Sequence, residues 1–304
     1  MHRTFTLASI IVNYKSEERT ITYVKEELQS KCHIPQLIII VNNEATEESS
    51  KKLSKSLLAP IVTDIAAIPK DSDIYIIHNL KNSGFAQGNN LGVDFISKHF
   101  EVDYLLFSNN DIRFIDSNVI EVLIEKLKTL PDIGVIGPKV IGLDGQDQNP
   151  YLYSPFWNEI LWMSWERFLP LKKGEKTFDR THAKEGYYYR LMGSFFIIPY
   201  TSFIECGKMD PHTFLYAEEV ILAERMLNIG KKNYYVPAVK ILHEHGQTTS
   251  KYLNKGNEIL LESILYYFKT YKHISNFKII IGKRLVQLYW FFQTIYRKIK
   301  CKKR

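Results

Sequence analysis

Short apolar segments alternate with amphipathic segments of helical length along the first 140 residues of the chain. The apolar segments are rich in β-branched residues, as in strands that are buried on both faces of a sheet. They predict five strands, at Leu7–Val12, Gln36–Val41, Ile74–Ile77, Tyr104–Phe107 and Gly134–Val140. The segments between them predict four helices, at Glu17–Ser30, Thr46–Leu58, Phe85–His99 and Asn118–Leu130. This alternation indicates an α/β fold with a mainly parallel sheet.

The pattern changes between residues 150 and 185, where three of the four tryptophans occur: Trp157, Trp162 and Trp165. This segment is predicted to be a buried loop or helix, or else a lid over a ligand. Regular structure then resumes with a strand at Phe195–Pro199, a helix at Glu218–Ile229 and a strand at Asn233–Val236.

Asparagine-containing clusters follow four of the predicted strands. They are Asn13-Tyr14, Asn42-Asn43, Asn79, and Ser108-Asn109-Asn110-Asp111. Each cluster alone is ordinary turn chemistry, because Asn and Asp suit turns. In parallel sheets, however, ligands bind at the carboxyl ends of the strands. The convergence of these clusters on one edge therefore favours a polar ligand site.

A glycine-rich segment, Asn82–Asn90, lies between the third strand and its helix. Its glycines allow close approach of the backbone to a ligand, and a helix start offers free amides to phosphate or ribose oxygens. The alternative is a glycine-rich turn that only caps the helix.

Two further motifs carry possible metal ligands. Asp111 ends the cluster after the fourth strand, where a carboxylate can hold Mg²⁺ or Mn²⁺ against a diphosphate. The alternative for this cluster is an Asn/Asp turn. His243 and His245 in the sequence His-Glu-His-Gly would share one face of a strand, and a neutral imidazole can bind a metal. A structural role is the alternative for either histidine.

Glu218 and Glu219 begin a predicted helix. The helix dipole accounts for part of this placement, because it favours acidic residues in the first turn. One of the two carboxylates could also act as a general base for a hydroxyl group.

Together these motifs resemble, in their order along residues 7–250, the family 2 glycosyltransferases, and most closely the rhamnosyltransferase-like enzymes of bacterial surface polysaccharides. The segments that carry the resemblance are the strand ending in Asn13-Tyr14, Val41–Asn43, Asn82–Asn90, Ser108–Asp111, Gly193–Phe196, Phe214–Glu219, Tyr235–Pro237 and His243–Gly246. The resemblance implies a GT-A fold, a nucleotide-sugar donor and inversion at the anomeric carbon.

The resemblance also implies roles for individual residues. Asp111 and His243 would bind the metal, Mg²⁺ or Mn²⁺, and Glu219, beside Glu218, would be the catalytic base. The donor-binding residues would be Asn13, Tyr14, Asn42, Asn43, Asn82, Gly84, Phe85, Gly88, Asn89, Asn109 and Asn110.

Four positions depart from the family pattern. Asn109 or Asn110 stands where a first metal-binding carboxylate is expected, and Asn42 replaces an Asp that contacts the nucleotide base. Glu219 replaces the usual Asp, and Ile221 replaces a second acidic residue. The nucleotide preference is left open by these changes, and metal binding would depend on one charge.

Charge is unevenly distributed along the chain. The net charge is +7, but residues 252–304 contain 12 Lys/Arg and 2 Asp/Glu, a balance of +10, which leaves −3 for the rest. Apolar residues in this tail are interrupted by Lys278, Lys283 and Arg284, so the run falls short of the roughly 20 residues that span a bilayer. An interfacial helix is predicted, with Trp290, Phe291 and Phe292 in lipid and the basic end at anionic headgroups. The alternative is a helix packed on the body.

These features predict two parts, a GT-A domain at residues 1–250 and a helical, basic, membrane-associating extension at 251–304. The domain would comprise a nucleotide-sugar half (about 1–140) and an acceptor half (about 141–250). Three cysteines without a paired spacing, and no signal-peptide pattern, predict a cytoplasmic protein, peripheral on the membrane. The partners expected are a nucleotide sugar, a saccharide or polyprenyl-linked acceptor and the inner membrane surface.

Three other functions are alternatives to glycosyl transfer. A sugar nucleotidyltransferase is disfavoured, because residues 13–16 lack the glycine-rich loop of such enzymes. Nucleic-acid binding is disfavoured, because the body offers no basic groove. A catalytically silent scaffold that binds a nucleotide sugar at the membrane remains the main alternative.

Overall fold

A ten-stranded mixed sheet forms the centre of the computed structural model, which describes residues 3–164, 178–244 and 253–302. The strands are β1 (Arg3–Asn13), β2 (Gln36–Asn43), β3 (Ile61–Val62), β4 (Ile74–Asn79), β5 (Phe100–Ser108), β6 (Ile112–Phe114), β7 (Ile133–Gly142), β8 (Gly186–Tyr188), β9 (Phe195–Pro199) and β10 (Lys232–His243). The helices are α1 (Glu17–Tyr23), α2 (Glu47–Leu57), α3 (Gly84–His99), α4 (Val119–Thr129), α5 (Phe156–Ser164), α6 (Tyr200–Glu205), α7 (Glu218–Asn228), α8 (Leu253–Thr270) and α9 (Asn276–Lys302).

The strand order is β3-β4-β2-β1-β5-β9-β7-β10-β6, with β8 paired to β10. The five strands from β3 to β5 are mutually parallel, as the sequence pattern predicts. The second half is mixed: β9 runs antiparallel to both β5 and β7, and β6 and β8 run antiparallel to β10. The sheet is therefore mostly but not wholly parallel.

Side chains alternate between the two faces of the sheet, and both faces are covered. On β1, Leu7 and Ile11 join the core on one face, and Ala8 and Ile10 join the core on the other. All four are fully buried. Burial on both faces explains why the strands appear in the sequence as continuous apolar segments rather than as alternating ones.

Two predicted elements differ in detail from the structure. The helix predicted at Glu17–Ser30 is α-helical only to Tyr23 and continues as a π-helix over Val24–Gln29. The final strand is much longer than predicted, because β10 joins Asn233–Val236 to the apolar residues before His243 through a bulge between Val236 and Lys240. Pro237 lies in that bulge, where its missing N–H does not interrupt the ladder.

The C-terminal helix α8 packs firmly against the body. Leu261 and Phe268 are buried in a third core cluster, which also contains residues of α5, α7 and α9. The Ser263 hydroxyl donates to the carbonyl of Leu215 at 2.9 Å. Thus the first part of the predicted extension contributes to the core.

The tryptophan-rich segment forms helix α5 in its described part. Phe156 and Ile160 are buried on the side that faces α9, and a Cβ at Gly282 would lie 2.7 Å from the Phe156 ring. Trp157 and Trp162 are partly exposed, and Trp165 lies outside the described residues.

Helix α9 has apolar residues on two opposite faces. Val286 is fully buried and Trp290 packs beside it against the third core cluster. The insertion of Trp290 into lipid stays a prediction, and its ring is half-buried against the body. Phe291 and Phe292 are 60% and 52% exposed. Within the described residues, no helix has the length and apolar character needed to cross a bilayer.

Candidate active site

The asparagines at the strand ends lie side by side, as the parallel pattern predicts. Asn13 is level with Asn42 in the β1–β2 register, and Asn43 is level with Asn79 in the β2–β4 register. The Nδ2 group of Asn13 donates to Oδ1 of Asn42 at 2.8 Å, and that of Asn79 donates to Oδ1 of Asn43 at 2.7 Å. These amides fix the strand ends relative to one another.

The Asn13, Asn42 and Asn43 side chains are all buried and bonded within the protein. Asn42 donates to the hydroxyls of Ser49 and Ser50 on α2. An Asp at position 42 could accept these bonds but could not donate them. Tyr14, which is only half-buried, is the more accessible of the residues at this strand end. Their contacts with a donor stay a prediction.

The glycine-rich segment packs against the loop that precedes α7. Asn82 accepts from the Gly84 amide at 3.1 Å, and Gly84 has a φ of +77°. A Cβ at Gly84 would lie 2.0 Å from the Phe214 carbonyl oxygen, which accepts from the Phe85 amide at 3.0 Å. Only glycine allows this contact. The segment is therefore held against the loop that leads to Glu218 and Glu219.

The next residues pack α3 onto the sheet. A Cβ at Gly88 would lie 3.1 Å from both the Val12 side chain and Nδ2 of Asn43. Asn89 is buried and donates to the Phe85 carbonyl within the helix. Gly88 and Asn89 are thus placed beside the strand ends, and their predicted contact with the donor is untested.

Asp111 is brought next to His243 by the antiparallel pairing of β6 with β10, in which His243 is level with Ile112. The Glu244 amide donates to the Asp111 carbonyl at 2.9 Å. Oδ1 of Asp111 lies 3.4 Å from Nε2 of His243, and the other ring nitrogen of His243 lies 2.8 Å from Oε1 of Gln148. Gln148 thereby orients the ring, as an outer-shell partner does for a metal-binding histidine. His245 and Gly246 lie outside the described residues.

Asp111 is a buried carboxylate with unused bonding capacity. It is 8% exposed, and Oδ1 has no hydrogen-bond partner in the described part of the chain. Burial alone would raise the pKa of Asp111, but the His243 side chain and the Arg19 guanidinium lower it below its ordinary value. The lowered pKa favours the charged carboxylate, which can bind a cation.

The residues around Asp111 fit a divalent cation that takes most of its ligands from elsewhere. No group of three or more His, Cys, Asp or Glu side chains suited to a metal occurs in the described ranges. Asp111 and His243 supply two donors, and Mg²⁺-type sites often use one or two protein ligands together with substrate phosphates. Asp111 and Asn110 also line a small pocket of about 20 Å³, room for a single water or ion.

Glu218 and Glu219 occupy different environments although they are adjacent. Glu218 is buried, and Oε1 has no hydrogen-bond partner in the described part of the chain. Burial and the nearby Glu219 charge raise the pKa of Glu218 to about 8. Glu219 is only partly buried, and Oε1 accepts from the Gly193 amide at 3.2 Å. The raised pKa favours the protonated, uncharged form of Glu218 near neutral pH.

The backbone before these glutamates is strained. Tyr216 and Ala217 have φ angles of +72° and +65°, a left-handed conformation that non-glycine residues adopt rarely. Each such residue costs on the order of 1 kcal/mol. These two left-handed residues turn the chain sharply into α7. Both carboxylates therefore lie in the first turn of that helix.

The segment Gly193-Ser194 connects the two predicted chemical groups. The Asn109 amide donates to the Ser194 carbonyl at 2.8 Å, and Gly193 contacts Glu219. A Cβ at Gly193 would lie 2.6 Å from the Glu219 carboxylate, so a side chain at this position would displace it. Asn109, two residues before Asp111, and Glu219 thus contact the same short segment. This proximity is the main structural support for one active site.

A family model described as glycosyl transferase family 2 matches residues 9–193, more than half of the chain. The chain belongs to glycosyl transferase family 2. It is also 25% identical over 162 residues to an N-acetylglucosaminyl-diphospho-decaprenol L-rhamnosyltransferase of Mycobacterium tuberculosis, found in strains CDC 1551 and H37Rv. That match covers 49% of this chain and spans about half the length of the curated relatives.

Solved structures confirm the GT-A-like fold. GalNAc-T7, crystallised with UDP, GalNAc and Mn²⁺, superposes with a TM-score of 0.57 at 16% identity, covering 88% of this chain and 49% of that one. Residues 1–349 of S. aureus TarS superpose with a TM-score of 0.53 at 11% identity, covering 87% of this chain and 72% of that one. At these identities the likeness concerns the fold alone.

Sequence reasoning missed two residues that support the site. Gln148, which orients His243, lies in an irregular segment with no motif. Asp210 is buried and accepts hydrogen bonds from Tyr266 and Tyr271 at the C-terminal helices. These bonds, outweighing burial, lower the pKa of Asp210 to about 2. Only its position before a proline, in a turn, could have drawn attention to Asp210.

The neutral state of Glu218 leads to a stability prediction. Its folded-state pKa of about 8 exceeds the ordinary value of 4.5, so the folded protein binds more protons than the unfolded chain between these values. Stability therefore falls as pH rises through that window. Glu218→Gln mimics the protonated acid, and we expect it to melt like the wild type near pH 4.5. At pH 8 it should be more stable by about 4 kcal/mol, since each pH unit between the two pKa values contributes about 1.4 kcal/mol.

Calorimetric melting between pH 4.5 and 9 measures this difference, with the exposed Glu258→Gln as the control. A difference between Glu218→Gln and wild type that does not change with pH would contradict a raised pKa of Glu218.

Proposed function

We propose that this chain is an inverting glycosyltransferase that moves a sugar from a nucleotide-sugar donor to a saccharide or lipid-linked acceptor in the synthesis of a bacterial surface polysaccharide. The observation that carries this is the pair of contacts made by Gly193-Ser194: the Ser194 carbonyl accepts from the amide of Asn109, two residues before Asp111, and the Gly193 amide donates to Glu219. Family membership supports the transfer reaction. The name of the mycobacterial relatives supports a prenyl-diphosphate-linked acceptor.

In this mechanism Glu219 accepts the proton of an acceptor hydroxyl while the oxygen of that hydroxyl attacks the anomeric carbon of the donor sugar. The nucleoside diphosphate leaves from the opposite face, so one displacement inverts the configuration without a covalent intermediate. The Gly193 amide holds the Glu219 carboxylate in place. The raised pKa of Glu218 reduces the negative charge beside that carboxylate.

Asp111 and His243 would hold a Mg²⁺ or Mn²⁺ ion. Such an ion would neutralise charge on the departing diphosphate. Asn109 and Asn110 bring no second carboxylate to this place. Asn110 instead donates to the hydroxyls of Ser16 and Thr20, both at 2.8 Å, and so ties Asp111 to α1.

The test of this function is direct. Purified protein would be offered UDP-, dTDP- and GDP-sugars with Mn²⁺ and a prenyl-diphosphate saccharide acceptor, and the released nucleotide and the product linkage would be measured. Nucleotide release from one donor and a product of inverted anomeric configuration, read by NMR, are expected. Donor binding without hydrolysis or transfer to any acceptor would instead favour a silent nucleotide-sugar-binding scaffold.

The outward face of α9 supports a position on the cytoplasmic membrane surface. Residues spaced by three and four along this helix are exposed and apolar: Phe277, Ile280, Leu288, Phe291 and Ile295, at 73%, 58%, 46%, 60% and 39%. Arg284 falls on the same stripe, and α9 contains no acidic residue. An exposed apolar face with basic residues is typical of helices that lie in the interface of anionic bilayers.

A prediction for this surface is that Leu288→Glu/Phe291→Glu lowers cosedimentation with vesicles containing phosphatidylglycerol by at least about tenfold. Two buried apolar contacts are lost and two negative charges are added. Gln287→Glu, on the same helix but off the stripe, should bind almost as well as the wild type. Equal binding of the double variant would exclude this face as the membrane contact.

A further inference from the structure

We propose that Arg19 is a diphosphate-binding residue of the active site, whose guanidinium pairs with Asp111 in the free protein and turns to the donor diphosphate when the donor binds. This inference depends on the proposed function, because it requires a nucleoside diphosphate at Asp111. It adds a cation supplied by the chain itself to the cation expected at Asp111 and His243.

The contact between Arg19 and Asp111 is an ion pair without a hydrogen bond. Nη1 of Arg19 lies 3.9 Å from Oδ2 of Asp111, beyond the 2.7–3.2 Å of a hydrogen bond. The Arg19 guanidinium makes no hydrogen bond to any residue in the described part of the chain, and the side chain is 32% exposed. Its donors are therefore available for a ligand.

The other arginine of this pocket is in a different state. Arg113 donates to Glu244 at 2.5 Å and to Glu26 at 3.3 Å. Its charge is thus matched by two carboxylates that hold it in place. Arg19 and Arg113 line the same pocket as Asp111, but only Arg19 has a loose partner.

Asp111 shows the same incomplete bonding from the anionic side. Its Oδ1 is buried without a hydrogen bond, while Oδ2 faces Arg19. An anion and a cation with unused capacity therefore face one small pocket. A diphosphate bound beside a cation on Asp111 would complete both, since an arginine fork matches phosphate oxygens in geometry and charge.

The charge balance of the site favours such a role. Asn109 and Asn110 add no second carboxylate beside Asp111, and the two other carboxylates that line the pocket, Glu27 and Glu244, are paired with Lys31 and Arg113. A guanidinium at the same place would share the stabilisation of the leaving diphosphate. It would also keep Asp111 paired when neither donor nor cation is bound, which limits the cost of a buried lone carboxylate.

The experiment compares wild type, Arg19→Gln and Arg19→Lys. The control is Lys25→Gln, which removes one positive charge at an exposed position in the helical residues that follow α1. Calorimetry measures binding of UDP, dTDP, GDP and inorganic pyrophosphate with Mn²⁺. Electron paramagnetic resonance of free Mn²⁺ measures metal binding without nucleotide. Circular dichroism verifies that each variant is folded.

We expect Arg19→Gln to weaken the diphosphate that binds wild type by about tenfold or more, since a charge-assisted hydrogen bond is worth about 1.5–3 kcal/mol. Arg19→Lys should weaken it less, and Lys25→Gln not at all. Without nucleotide, Mn²⁺ should bind Arg19→Gln at least as tightly as wild type, because a competing cation next to Asp111 is gone. A structural role for Arg19 would not produce these opposite changes.

Unchanged diphosphate affinity in Arg19→Gln would overturn the role of Arg19 and leave the proposed function standing. Weaker Mn²⁺ binding in that variant would also overturn it, since Arg19 would then support the cation site instead of competing for Asp111. Absence of diphosphate binding by the wild type itself would defeat both the inference and the proposed function.

Discussion

Glu219→Gln is expected to lower the turnover of sugar transfer by about 10²–10⁴-fold, the usual contribution of a general base. The amide has the shape of the carboxylate and can still accept from the Gly193 amide, so the loop should keep its structure. It cannot take the acceptor proton. Steady-state kinetics should therefore show a lower kcat with little change in donor KM or in the donor-induced melting shift.

Two further variants separate the base from other effects at this position. Glu219→Asp shortens the side chain by one methylene and restores the residue that the family resemblance expects, so it should retain at least about tenfold more activity than Glu219→Gln. Glu258→Gln removes an exposed carboxylate on α8 and should leave kcat unchanged. Full activity of Glu219→Gln would mean that another group removes the proton.

The first half of the fold was predictable because its local and global signals agree. Strands such as β1 and β2 are buried on both faces and so appear as continuous apolar segments. The helices between them have amphipathic patterns and start signals, such as Thr46, whose hydroxyl caps α2. Parallel βαβ connections then place all four asparagine clusters at one edge.

The second half was less predictable because its pairings are not local. β6 and β8 have only three residues each and are defined by antiparallel pairing with β10. β9 was predicted as a strand, but its antiparallel placement between β5 and β7 depends on the path of the chain. The hydrophobic periodicity of a segment of three to five residues does not indicate which strand it pairs with.

The candidate site divides in the same way. The motifs predict Asp111, His243, Glu218 and Glu219. In the structure Asp111 lies beside His243, and Gly193-Ser194 contacts both Asn109 and Glu219. The difference in burial between Glu218 and Glu219 could not be predicted, because the two residues are identical and adjacent in the sequence. The pairing of Arg19 with Asp111 joins residues 92 positions apart, and it depends on how α1 packs beside the end of β5.

The C-terminal helices show how a boundary drawn from composition can divide a packed unit. The basic charge of residues 252–304 suggested a separate extension, yet α8 donates to Asp210 through Tyr266 and to the Leu215 carbonyl through Ser263. These contacts support the loop that ends at Glu219. If α9 contacts lipid, it therefore does so next to α8, which is bonded directly to the loop that ends at Glu219.

Asp111→Asn is expected to remove the metal-dependent part of donor binding and to lower kcat/KM by about 100-fold, equivalent to about 2.7 kcal/mol. The amide keeps the shape of the side chain but loses the charge that holds a divalent cation. Thermal melting with the preferred nucleotide sugar, with and without Mn²⁺, measures the first effect. Asp103→Asn, an exposed position near the opposite end of β5, is the matched control.

The same variant separates the two cations assigned to the diphosphate. With residue 111 neutral, Arg19 loses the carboxylate at 3.9 Å and its charge is fully available to phosphate. Donor binding in the absence of metal should therefore be equal to or stronger than that of the wild type, even as the Mn²⁺ effect disappears. A full Mn²⁺-dependent shift in Asp111→Asn would show that the cation binds elsewhere. Loss of metal-free binding together with the Mn²⁺ effect would mean that Asp111 positions the donor by structure and not by charge.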